Sequence, residues 1–227
     1  MRTNNRLSYA AIAILALPLA GNAQNNSYAH MLTTTSTLTN NFTTMQRQYL
    51  GNISNAAKAY GAQSTPGQPA QPQFPITATD FRGAASREFP ERMASAMAGL
   101  TPEQKAALET LYNQLLTEFE KTNRPNNIAA AVGYGYRISL EIVRGRTLSP
   151  AETDAAIQYF NNILALSSEF QAMTQTQKQT LYEGLILTSG MAAVLYVQGL
   201  DQNNPAMQMQ GRQIAQSVLQ QWTGARQ

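Results

Sequence analysis

The sequence predicts an all-α protein: one bundle of five or six helices, preceded by a signal peptide and a disordered tail and linker. Three observations carry this. After residue 80, apolar residues recur three and four apart, the period of a helix face and not the alternation of a strand. Helix starts are marked repeatedly by a capping side chain followed by proline. No cysteine is present, so the fold holds by packing alone, which a chain of this length can supply.

The N-terminus reads as an address. Arg2 and Arg6 form a positive region, Leu7 to Ala20 (LSYAAIAILALPLA) is apolar, and Gly21 to Ala23 (GNA) supplies small residues for cleavage before Gln24. The apolar run is shorter than the roughly 20 residues of a permanent span. A signal peptide over 1–23 and a periplasmic or secreted mature chain are therefore expected. Losing both arginines lowers the formal net charge from +3 to +1. A near-neutral surface argues against nucleic acid, which needs a basic patch. Without cysteine, thiol catalysis and thiolate zinc sites drop out.

Residues 24–79 read as a flexible tail and linker. Gln24 to Thr44 is rich in Asn, Thr and Ser and buries too little to offset ordering entropy. A loose helix is expected over 45–60. Gly61 to Pro75 is a Pro/Gly/Gln linker that cannot continue it.

The bundle is expected over 80–223, with helices near 86–98, 102–121, 127–144, 150–171, 175–199 and 205–222. Thr101 with Gln104, Ser149 with Glu152 and Thr174 with Gln177 have capping-box spacing, and Asn204 precedes Pro205. Gly99, Gly145 and Gly199 stand where helices should stop. Leu108, Leu111, Tyr112, Leu115 and Phe119 form one apolar stripe; Met207, Gly211, Ile214, Val218 and Trp222 form another. The segment after Glu183 lacks charge up to Asp201 and is apolar nearly all round. It reads as a central buried helix in preference to a membrane span. GYG at Gly133 to Gly135 follows no strand and precedes no lysine of a phosphate loop. Its glycines are expected to let a neighbouring helix approach, with one of Tyr134 and Tyr136 inward and the other nearer the rim.

Arg124 to Tyr134 (RPNNIAAAVGY, with the pattern P-N-[ND]-x-A), Leu148 to Glu152 (LSPAE) and Lys178 to Leu185 (KQTLYEGL) resemble a bacterial family of secreted all-helical domains of unknown function. The resemblance implies a helical fold and an envelope or secreted location. It supplies no catalytic residue.

Few side chains suit catalysis. The sole histidine, His30, lies in the tail, which disfavours a Ser-His-Asp triad or a histidine zinc site; no metal site and no cofactor are expected. Glu183 is the one carboxylate in a strongly apolar setting. A buried carboxylate must be paired or must shift its pKa. It is either a structural ion pair with Arg137 or Arg144, the preferred reading, or a catalytic acid in a pocket. Arg137 and Glu141 are expected to form an ordinary surface pair. Arg137, Tyr134 and Tyr182 are candidate binding residues. Two functions remain open. One is a non-catalytic protein that binds an envelope or extracellular partner. The other is a glycan- or small-molecule-processing domain using Glu183.

Overall fold

The computed structural model describes residues 73–97 and 99–223. The expected signal peptide, the tail with His30 and the helix over 45–60 lie outside them. The described residues form a short 3₁₀ turn, Ile76–Thr79, and seven helices: α1 Glu88–Ser95, α2 Pro102–Thr122, α3 Ile128–Arg144, α4 Pro150–Leu166, α5 Ser168–Ala172, α6 Gln175–Asp201 and α7 Pro205–Thr223. The fold is all-α; the only β pairing among the described residues is an isolated bridge between Asp80 and Asn127.

The caps fall where the sequence puts them. Thr101, Ser149 and Thr174 each accept the N–H three residues on, and Gln104, Glu152 and Gln177 return the bond. Asn204 accepts from the N–H groups of Ala206 and Met207. Gly145 ends α3 with φ 63°, a left-handed position that glycine adopts without a Cβ penalty.

α6 is the centre. Residues on every side of it are buried, from Leu181 to Val197. It is long and apolar enough to cross a membrane, but 89% of its apolar window is buried inside the described body. α7 and α3 cover it most extensively, and α2 and α1 close further sides. Both apolar stripes read from the sequence face this core.

Close approach depends on small residues. A Cβ on Gly135 would stand 2.6 Å from Ser189 Oγ of α6, so GYG is a helix-contact surface. Tyr134 and Tyr136 are both buried, which corrects the expectation that one would reach the rim. Phe119 meets Tyr134 edge-on at 5.0 Å and Phe160 meets Tyr136 at 5.6 Å, so aromatic partners occupy both sides of α3. Gly199 does not stop α6, which runs on to Asp201. A Cβ there would lie 2.6 Å from the Gln208 nitrogen, so this glycine serves the α6–α7 contact.

The single helix expected over 150–171 is broken at Ser167. That residue turns extended (φ −79°, ψ 118°), and its hydroxyl accepts the N–H of Phe170 and caps α5. A serine side chain here competes with the helical backbone. Phe170 is fully buried, and the Lys178 ammonium sits 4.4 Å from its ring centre.

Residues 73–79, read as the end of the linker, are seated on α4. Asn161 Nδ2 donates to the carbonyls of Phe74 and Pro75, and its Oδ1 accepts from Thr79 Oγ1. Asn162 Oδ1 accepts from the Gln73 and Phe74 N–H groups. The RPNN stretch receives the next residues. Asn127 caps α3 through Oδ1 while Nδ2 donates to Ile76 O at 2.8 Å and Asp80 Oδ1 at 2.7 Å. Arg124 holds both oxygens of Asp80, which keeps that carboxyl below its usual range.

Gly211→Ala tests whether contact or propensity dominates. A Cβ there would lie 2.7 Å from Ala192 O and 2.8 Å from Tyr196 N, both backbone atoms. Propensity alone favours alanine by about 1 kcal/mol. Urea unfolding is expected to show a net loss of about 1–3 kcal/mol from overpacking.

Candidate functional site

Glu183 lies two residues into the buried run of α6 that begins at Leu181 and is 3% exposed. Its Oε1 accepts from Gln179 Nε2 at 2.7 Å and its Oε2 from the Phe89 N–H at 3.3 Å. Phe89 is in the first turn of α1, where Arg87 at the N-cap offers no side-chain cap. Glu183 therefore caps α1 from another helix, with negative charge at the positive end of the dipole. Gln175 and Gln179, about two turns and one turn earlier on the same face, accept the N–H groups of Arg82 and Ala84. Gln179 also donates to Ser86 O. This stripe straps residues 82–89 onto α6.

The expected ion pair of Glu183 with Arg137 or Arg144 does not form. Burial raises the Glu183 pKa, opposed by the Gln179 and Phe89 hydrogen bonds and by the charge of Arg87, and assisted by that of Glu120. Arg87 is itself paired with Glu120 and donates to Asn113 O and Thr117 Oγ1. Tyr182 donates to Glu120 at 3.4 Å. These side chains line a polar pocket of about 230 Å³ that reaches Glu183. A carboxyl with a raised pKa in a polar pocket is the form a general acid takes. Here, however, both Glu183 oxygens are held by donors of the chain itself.

A second, larger cavity of about 670 Å³ opens where α2 ends and α4 begins. Arg137, Arg124 and Asp154 line it, with Ile76, Leu148 and Ile157 among its apolar walls. The Arg137 guanidinium stands 5.8 Å from the Tyr134 ring centre and makes no salt bridge among the described residues. The expected Arg137–Glu141 surface pair is thus corrected. Glu141 is buried and accepts from Thr147 Oγ1 at 3.1 Å; burial raises its pKa, against the Thr147 bond and the Arg137 charge.

The structure separates the sequence candidates into two places. Glu183 and Tyr182 line the small pocket, and Arg137 lines the large groove. Tyr134 supports Arg137 from beneath, and burial pushes its hydroxyl up to about 12. Sequence reasoning missed Arg87, Glu120, Gln179 and Asp154. The Gln175–Gln179–Glu183 spacing was a usable signal, a polar stripe at i, i+4 and i+8 that runs from the polar first turns of α6 into its apolar part. Arg87 and Glu120 are 33 residues apart and carried no such signal. Among the described residues, no three His, Cys, Asp or Glu side chains gather to hold a metal ion.

Glu183→Ala removes the acceptor from two donors at once. A loss of about 2–3 kcal/mol is expected in urea unfolding, the cost of leaving buried donors unsatisfied. The pH dependence has a definite sign. Because the folded state raises the Glu183 pKa above 4.5, its contribution to stability is full below 4.5 and declines as pH rises through the raised value. Glu183→Gln should make the melting temperature fall less steeply with rising pH over that interval.

Neither the comparison with curated proteins nor that with solved structures gives a match. Residues 4–227 match one family along nearly the whole chain, including the bundle and both pockets. The chain belongs to that family, described as a family of unknown function (DUF6683).

Proposed function

We propose that the chain is a secreted or periplasmic helical protein that binds another envelope component through the Arg137 groove and has no catalytic role of its own. The observation behind this reading is the groove. An arginine rests on a buried tyrosine, without a salt bridge among the described residues, in a cavity within the range of about 300–1,000 Å³ usual for ligand sites. An arginine fork placed in this way suits an acceptor brought by a partner. The signal-like N-terminus supports the location.

A second reading, a glycan- or small-molecule-processing domain using Glu183, is favoured by the pocket that reaches that carboxyl. It ranks lower because Glu183 is already engaged as the cap of α1.

In-cell photocrosslinking in the native envelope tests the proposal. A crosslinker at Thr153, on the groove wall, should capture one specific protein, and Arg137→Ala should abolish the capture. A crosslinker at Gln216 on α7, none of whose residues lines the groove, should not capture it. Capture from Gln216 alone, or capture indifferent to Arg137, would overturn the binding face. Loss of function on Glu183→Gln without loss of folding would move the assignment to the second reading.

A further inference from the structure

The groove carries both signs of charge, and two of its charged groups stand outside any salt bridge among the described residues. Arg137 makes no salt bridge among the described residues, and Asp154, exposed in the second turn of α4, makes no hydrogen bond or ion pair among them. The other groove arginine, Arg124, is committed through Nε and Nη2 to Asp80. One open guanidinium matches a single carboxylate; a polyanion would call for a cluster. Asp154 repels further negative charge and favours a cation or donor. α2 ends and α4 begins at the groove, so helix-dipole ends of both signs meet there. Between the charged groups the wall is apolar, from Ile76, Leu148 and Ile157. The volume exceeds what one amino acid fills and suits a ligand of a few residues.

We infer that the groove binds a short peptide segment with a free C-terminal carboxylate on Arg137, apolar side chains against the Leu148–Ile157 wall, and its N-terminal ammonium toward Asp154. The inference rests on the groove being the binding face and names the chemistry of what that face takes. Arg137 is pre-oriented by Tyr134, which lowers the ordering cost of gripping a carboxylate.

The test is affinity selection of a tripeptide library by the full chain, followed by calorimetry on the retained peptides, with C-amidated and N-acetylated versions as probes. Free peptides should be retained. Amidation should weaken binding about tenfold or more, as loss of a charge-assisted bond does. Arg137→Gln should reduce the free peptide to the level of its amide without a large change in melting temperature. N-acetylation should weaken binding to the unaltered chain and have no further effect on Asp154→Asn. Equal retention of amidated peptides, or no retention at millimolar concentration, would overturn the inference. If Thr153 crosslinks nevertheless captured a protein in an Arg137-dependent way, the binding face would stand and only the terminal-peptide chemistry would fall.

Discussion

A stretch of helix without a polar side has to be covered on every side, and α6 from Gly184 onward is such a stretch. The 27 residues of α6 include an uninterrupted buried run from Leu181 to Leu195. Other features of the bundle answer to that need. α3 and α7 lie close because Gly135 and Gly211 leave no Cβ in the way. α2 brings a complete apolar stripe. The glycines weaken helix propensity, and the contacts they permit offset the loss. What looks in the sequence like a loop motif or a span is, in three dimensions, the geometry of covering α6.

The periphery is held differently. Residues 73–81 and 82–89 dock through side-chain amides and carboxylates that satisfy backbone groups. Asn161, Asn162 and Asn127 are fully buried, and each holds main-chain atoms of the incoming segment. An amide offers both a donor and an acceptor, so one residue can cap its own helix and grip a passing strand of chain, as Asn127 does. Such polar docking gives direction and register. It adds less burial than the α6 contacts, which suits segments laid on a finished core.

The helices were legible because their signals are local. Thr101, Ser149, Thr174 and Asn204 act within three residues, and a stripe such as Leu108 to Phe119 needs only its own helix. Ser167 was missed because apolar residues continue on both sides of it and mask a competing side-chain bond. The site was less legible. Glu183 stands out by its apolar neighbours, and its partner Gln179 lies one turn away on α6; its other partner, Phe89 on α1, is 94 residues distant, where pattern alone could not bring it. The i, i+4 spacing of Arg137 and Glu141 predicts a surface pair. The fold instead buries Glu141 beside Thr147 and turns Arg137 to the groove. Asp154 carried no mark at all, since an exposed aspartate near a helix start is ordinary.

The cap on α1 has a consequence for the order of folding. Its donor and acceptor, Phe89 and Glu183, are 94 residues apart, and the strap bonds from Arg82 and Ala84 span 93 and 95. An eight-residue helix is too short to persist in water by itself. α1 must therefore wait for the first turns of α6, and long loop closure makes it a late arrival on the folding path. The same logic run backwards makes α1 and its strap the first unit to open. Their amides should exchange through sub-global openings while those of α6 exchange only with the whole molecule.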